Sequence, residues 1–271
     1  MALRTNVNNL LRSVTGYELR RAPRPAAANG AAANRGGGLP QDYDDAAKAT
    51  IRAVRPRTMT APEKLNALIL ATRYVARHDI PGDIVECGVW RGGSMQAAAR
   101  TLIEAGDTDR HLHLYDTFEG MPPPTDRDRR HDGRSAADLL ATHGRDAGVW
   151  AVATLDDVRE GLRETGYPQD NIHYHPGRVE DTVPAVMPDR ISILRLDTDW
   201  YESTWHELRH LYSRLSPGGV LLIDDYGWWD GARQAVDEWL AETGTPLLLL
   251  RMASGRIAVK PADELASRHR R

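Results

Sequence analysis

The sequence predicts an α/β fold: an open, mostly parallel seven-stranded sheet with helices on both faces and an antiparallel last strand. Three observations predict it. From residue 83 onward short apolar runs alternate with helical patterns, which builds a parallel sheet covered by helices. The first of these runs leads straight into a glycine-rich turn. The last two runs are linked only by Ala253-Ser254-Gly255, too few residues for a crossover helix, so the closing strands pair antiparallel.

Taken in order, residues 1–21 carry an apolar stripe of Leu3, Val7, Leu10, Leu11 and Val14 at helical spacing. Residues 22–38 are Ala, Gly, Pro and Asn with Arg24, Arg35 and Leu39 following, and read as a flexible linker with nothing to bury. This Arg-rich front has the composition of a transit peptide, but no secretory apolar core follows it. It suits an arm for subunit contact, hence a homo-oligomer, or a lid. Two helices are expected over 41–54 and 61–78, the second opening with Thr60-Ala61-Pro62-Glu63, a capping-box pattern with Pro in the first turn. Strands are expected at 83–87, 111–115, 171–175, 191–196, 219–223, 247–250 and 256–259. A long insert separates the second and third, with helical patterns at 135–142 and 155–164. Its first part holds Pro122-Pro123-Pro124 and a dense run of Asp and Arg, and reads as a lid. The organisation that results is an arm and linker at 1–40, one domain at 41–262 with a lid around 117–142, and a polar tail at 263–271.

Composition narrows the class. At 271 residues, with 35 Lys+Arg against 38 Asp+Glu and a net charge of −3, the chain has ample core and no concentrated basic face for a nucleic-acid duplex. A single cysteine excludes a disulfide scaffold, and its thiol fits a reducing, cytoplasmic setting. No apolar run approaches a membrane span. Nearly all cations are Arg; the lysines are Lys48, Lys64 and Lys260. An enzyme or small-molecule binder remains.

The site-forming segments lie at strand ends. In Asp83-Ile-Val-Glu-Cys-Gly-Val-Trp-Arg-Gly-Gly-Ser94 a buried strand enters a glycine turn and then a helix, whose free N–H groups can receive an anion. Asp116, at the tip of the second strand, stands where a doubly wound sheet holds a ribose diol. Strand four ends in Asp197-Thr198-Asp199 and strand five in Asp224-Asp225. Parallel neighbours bring these carboxylates to one rim, where they repel unless a cation neutralises them, and all-oxygen ligation favours Mg2+ over Zn2+. The alternative is that they cap helices or pair with Arg195 and Arg233. Tyr226, Trp228 and Trp229 follow directly and suit stacking on a sugar or ring, or packing of the lid. His206 and His210 sit one helical turn apart without the glutamate of a zinc-protease motif, and read as helix packing. Cys87 and His173 with His175 read as core or surface positions.

Four motifs in order resemble the macrocin O-methyltransferase family: the run 80–94, Tyr115-Asp-Thr-Phe-Glu-Gly-Met-Pro122, Leu196-Asp-Thr-Asp-Trp-Tyr201, and Leu215-Ser-Pro-Gly-Gly-Val220 ending at Asp224-Asp225-Tyr226. The glycine spacing Glu86-x-Gly88-x3-Gly92-Gly93-Ser94 is also similar to motif I of S-adenosylmethionine methyltransferases and differs from the dinucleotide pattern G-x-G-x-x-G. The likeness covers about residues 55–260. It implies a Rossmann-like class I methyltransferase, dependent on S-adenosylmethionine and Mg2+, that methylates sugar hydroxyls of glycosylated natural products such as macrolides and aminocoumarins. By position it implies Asp197, Asp224 and Asp225 as metal ligands, and Asp199 as general base, with Asp197 the other candidate for that role. Glu86, Gly88, Ser94 and Asp116 would hold the cofactor, Thr58 and Met59 would close over its methionine end, and Asp181 would lie on the adenine side.

The implied chemistry is coherent. A sugar hydroxyl is a poor nucleophile at neutral pH; a bound Mg2+ lowers its pKa while a carboxylate removes the proton. Two other functions fit the same residues. A catechol or other phenol would chelate the same ion, and a non-catalytic module could hold S-adenosylmethionine or a nucleotide without turnover. The acidic quartet speaks against the last, since a pure binder has no need to assemble that charge.

Overall fold

The computed structural model describes residues 38–144 and 148–262; the front arm up to residue 37 and the tail 263–271 lie outside the described residues. The chain divides into Met1–Gly38 and Leu39–Arg271, and the second unit is the one described below. Its strands are β1 (Asp83–Cys87), β2 (Leu112–Asp116), β3 (Ile172–Pro176), β4 (Ile191–Leu196), β5 (Leu215–Ile223), β6 (Leu250–Met252) and β7 (Gly255–Val259). They form one sheet in the order β3-β2-β1-β4-β5-β7-β6. The pairs from β3 to β5 are parallel, and β7 runs antiparallel to both β5 and β6.

The sequence expectations differ from these strands mainly at their ends. β5 begins at Leu215, before the expected 219, because its pairing with β4 slips around Pro217 and Gly218 instead of starting after them. The apolar run 247–250 enters the sheet only at Leu250. The tight turn at Ala253 and Ser254 pairs Met252 with Gly255, so β6 is fixed next to the turn. Leu247 and Leu249 instead pack against the core between sheet and helices.

The helices are α1 (Asp45–Val54), α2 (Pro62–Arg77), α3 (Gly93–Ala105), α4 (Ala136–Thr142), α5 (Leu155–Arg163), α6 (Val179–Thr182), α7 (Tyr201–Leu211) and α8 (Asp230–Thr243). Asp44, Ser135 and Thr154 cap α1, α4 and α5 by accepting from a backbone N–H. At α2 the expected capping box does not form: the N-cap is Ala61, with Pro62 opening the helix. The Thr60 hydroxyl is used elsewhere, 3.4 Å from Ser94 Oγ and accepting from Arg195. Among the described residues no helix is long and apolar enough to cross a membrane.

Two apolar layers sandwich the sheet. Leu68, Val75, Met95, Leu102 and Leu162 cover one face, and Leu208, Leu211, Val236 and Trp239 the other. A smaller cluster belongs to the insert, where Leu139 and Leu140 pack with Trp200, Trp229 and Ala232. The insert is thus docked onto the ends of β4 and β5. Cys87 pairs with Leu196 and Leu196 with Ile223 in register, so the residues after β1, β4 and β5 emerge side by side. That carboxyl rim, at the reversal of strand order between β1 and β4, is where open α/β sheets bind ligands.

Candidate active site

The glycine turn is dictated by crowding. Gly88 has φ +84°, and a Cβ there would stand 2.0 Å from the Asp197 carbonyl oxygen, so only glycine lets the ends of β1 and β4 touch. A Cβ on Gly93 would lie 2.5 Å from the Arg57 carbonyl oxygen and 2.6 Å from Thr58 Cβ. The segment before α2, with Thr58, Met59 and Thr60, therefore lies directly on the start of α3. Thr58 is buried, its Oγ1 accepting from the Thr60 N–H at 3.0 Å, whereas the Met59 side chain is half exposed. Asp116 braces the turn from β2: its Oδ2 accepts from the Val89 and Trp90 N–H groups at 2.6 and 3.0 Å, and its Oδ1 from Phe118 N–H at 2.7 Å.

Beneath the rim lies a buried ionic centre. Arg195, on the central strand β4, is 2 % exposed and pairs with three acids. Its guanidinium contacts Glu86 Oε1, Asp197 Oδ2 at 2.7 Å and Asp224 Oδ1 at 2.5 Å, and donates to Thr60 Oγ1 at 3.1 Å. From α2, the buried Lys64 ammonium pairs with Asp224 Oδ2 and donates to the Asp224 carbonyl at 2.9 Å. Asp197, Asp224 and Asp225 each offer an oxygen within 4.8 Å of the others. Within this group Asp225 Oδ2, like Glu86 Oε2, is buried without a hydrogen-bond partner. Burial pushes the Asp197 and Asp225 carboxyls well up, and neighbouring carboxylates add to the rise. Asp224 is also buried, yet Lys64 and Arg195 hold it below the ordinary aspartate value. Burial and nearby charge push Glu86 up to about 7, with Arg195 opposing the rise.

Asp199 sits at the lip of this centre in a left-handed conformation, φ +69°, which is uncommon for a residue with a side chain. The Trp229 indole N–H donates to its Oδ1 at 2.5 Å. Burial raises its carboxyl to about 8, the Asp197 charge adds to the rise, and the Trp229 hydrogen bond opposes it. Between the two acids, Thr198 Oγ1 donates to the buried Glu207 at 2.9 Å.

The insert is stapled over this lip. Trp200 Nε1–H donates to the Pro122 carbonyl at 3.0 Å, and the Trp200 and Trp229 rings meet edge to face. Fully buried Asp128 accepts from Tyr201 N–H at 2.8 Å with Oδ1, and from Thr125 N–H and Oγ1–H at 2.7 and 2.9 Å with Oδ2. It thereby ties the insert to the start of α7, immediately after Asp199.

Most residues singled out in the sequence meet here: Glu86, Gly88, Ser94, Asp116, Thr58, Asp197, Asp199, Asp224 and Asp225. Asp181 stands apart on α6, exposed, without a hydrogen bond to these residues. The three rim aromatics have separate fates. Trp229 is 6 % exposed and reaches the site by its N–H; Trp228 lies against His131 and Arg130; the Tyr226 hydroxyl donates to Asp237 at 2.6 Å under the Arg256 guanidinium. Arg233, the other expected partner of the acids, pairs with Asp230 instead. Lys64, Thr60, Asp128 and Trp200 were not foreseen. Each contributes through a contact distant in sequence, which local pattern does not encode; only the scarcity of lysine set Lys64 apart.

Comparisons with known proteins show the family. The family model described as Macrocin-O-methyltransferase (TylF) matches residues 37–251. The chain is 37% identical over 187 residues to 8-demethyl-8-(2,3-dimethoxy-alpha-L-rhamnosyl)-tetracenomycin-C 4'-O-methyltransferase of Streptomyces olivaceus, covering 69% of each chain. It is 35% identical over 186 residues to demethyldecarbamoylnovobiocin O-methyltransferase of Streptomyces niveus, covering 68% of each. Among solved structures it is similar to the O-methyltransferase NovP, with a TM-score of 0.66 and 32% identity over 76% of this chain and 83% of that one. The chain belongs to the macrocin O-methyltransferase family and is an S-adenosylmethionine-dependent O-methyltransferase.

Proposed function

We propose that the protein transfers the methyl group of S-adenosylmethionine to a sugar hydroxyl of a glycosylated natural product of the antibiotic type, with Asp199 as general base and a divalent cation held by Asp197, Asp224 and Asp225. The observation that carries this reading is the juxtaposition of a three-carboxylate cluster with a fourth carboxylate, Asp199, fixed by Trp229. The similar tetracenomycin and novobiocin enzymes support the substrate class.

The residues fit a hard cation. The donors are all carboxylate oxygens, and Asp225 Oδ2 is buried with nothing to bond. Bound there, Mg2+ supplies Lewis acidity that makes a nearby hydroxyl easier to deprotonate. S-adenosylmethionine supplies a methyl group already activated on a sulfonium. The chain's own work is then alignment, water exclusion and proton removal. Asp116, the turn at Gly88–Gly93 and Ser94 would hold the cofactor, and Thr58 and Met59 would close over it. Asp199 takes the hydroxyl proton on the oxygen that Trp229 leaves free. The insert, pinned by Asp128 and Trp200, closes the acceptor side, with Trp228 and Tyr226 at its margin.

Incubating the enzyme with Mg2+, methyl-labelled cofactor and a panel of glycosylated natural products and catechols tests this. Label on a sugar oxygen is the expected result. Label only on catechol oxygens, with every sugar unmodified, would overturn the substrate class.

A further inference from the structure

Lys64 occupies a position that the proposed reaction leaves unexplained. It stands in the first turn of α2, its side chain is only 8% exposed, and its ammonium reaches across 160 residues of sequence to Asp224. Arg195 holds Asp224 Oδ1 and Lys64 holds Asp224 Oδ2, so both oxygens of one member of the triad are already engaged by cations. Among the described residues, Glu86, Asp197, Asp224 and Asp225 gather around two cationic side chains, Lys64 and Arg195. Two of those acids keep a buried oxygen without a partner, Glu86 Oε2 and Asp225 Oδ2. Such oxygens are costly unless a proton or a further positive group comes to them.

The two cations are not equivalent. The Arg195 guanidinium is a rigid fork spread over three acids, whereas Lys64 is a point charge on a flexible stem bound to Asp224 alone. An ion entering the triad meets the field of both, and Lys64, with one carboxylate partner against three, has the fewer contacts to give up. We propose that Lys64 sets the affinity of the Asp197, Asp224 and Asp225 triad for a divalent cation, competing with the ion for the Asp224 carboxylate. In the ion-free protein the ammonium keeps Asp224 charged and aimed; when the ion enters, the ammonium gives up Oδ2. Lys64 is a positioning residue that acts through Asp224. The inference rests on the metal reading of the triad given above.

Calorimetric titration of Mg2+ into chelator-treated full-length protein tests it, with melting temperatures recorded in EDTA and in Mg2+. Removing a like charge beside the site should make Lys64→Met bind Mg2+ about tenfold or more tighter than wild type. Lys64→Arg, which keeps the charge, should bind no tighter than wild type. Lys64→Met should also melt lower than wild type in EDTA and recover in Mg2+. If wild type binds Mg2+ and folded Lys64→Met binds it equally or more weakly, Lys64 does not compete and this inference fails while the metal reading stands. If wild type binds no Mg2+, both fail. Should Lys64→Met fold only with the ion, the Mg2+ concentration that restores folding becomes the readout, and no rescue at any concentration overturns the inference.

Discussion

Trp229 orients Asp199 through one hydrogen bond, indole Nε1–H to Oδ1 at 2.5 Å, while its ring packs edge to face on Trp200. The bond fixes a carboxylate whose backbone is held at φ +69°, so one oxygen is committed and the other is left for a proton. Trp229→Phe keeps an aromatic ring, smaller than the indole, and deletes the donor. Its kcat should fall about tenfold to a hundredfold with the KM for S-adenosylmethionine unchanged, as seen for groups that orient a reacting residue. Asp199→Asn should lose about a hundredfold to ten-thousandfold, the usual contribution of a general base. Steady-state kinetics on a sugar acceptor separates these effects. An unchanged kcat in Asp199→Asn would transfer the base role to another group.

Asp128 is the pin of the insert. It is fully buried and satisfies three donors, including the Tyr201 N–H at the start of α7. Asp128→Ala would leave the buried Tyr201 N–H unpaired, at a cost of about 1–3 kcal/mol, and would release the exposed Thr125 from the pin. The insert should loosen before the sheet does. Limited proteolysis should cut near residues 121–135 faster, and the KM for the acceptor should rise more than that for the cofactor. Equal effects on both would mean that the insert does not cover the acceptor side.

How much of this was legible in sequence differs between strands and side chains. Strands β1 and β4 are buried runs, and their limits follow from hydrophobicity alone. The ends of β5 and β6 depend on pairing with neighbours far away in sequence, and there the pattern misleads. The acids at 197, 199, 224 and 225 announce themselves by ending adjacent strands. Their counter-charges do not: Lys64 looks like an ordinary first-turn residue of an amphipathic helix, and Thr60 like a helix cap, until the fold brings both against β4 and β5. Trp229 reads as a rim aromatic in the sequence, but which of its edges faces the site is decided by Trp200 and Asp199, not by spacing.

β2, the residue before it and β3 carry a ladder of histidines. His111 Nδ1 meets His173 Nε2 at 2.6 Å, His113 Nδ1 meets His175 Nε2 at 3.1 Å, and His113 Nε2 reaches Asp83 at 3.2 Å. Burial and then the neighbouring histidines lower the His173 pKa, and they lower that of His175 to about 4. Imidazoles depressed on folding bind fewer protons in the native state than in the unfolded one between about pH 4 and 6.5, so stability is full above that window and falls as pH drops through it. The partial exposure of His175 limits its share to on the order of 1 kcal/mol. The melting temperature should decline from pH 6.5 to 4, and His175→Phe should flatten that decline. A slope identical to wild type would remove the ladder as its source.

Gly88 tests the contact between strand ends. In Gly88→Ala the new methyl would meet the Asp197 carbonyl at 2.0 Å on a backbone at φ +84°. Overpacking and strain together should cost about 3 kcal/mol or more. Thermal denaturation should show a clear loss, and a melting temperature equal to wild type would mean that β1 and β4 part more readily than their pairing implies.

The most direct measurement is the initial rate of sugar methylation by chelator-treated enzyme as Mg2+ is added back, with cofactor binding followed in parallel for wild type, Asp197→Ala and Asp224→Ala. Turnover should vanish in EDTA and return with Mg2+ in the wild type alone, while all three proteins still bind S-adenosylmethionine. Full turnover in EDTA would contradict the role given to the carboxylate triad.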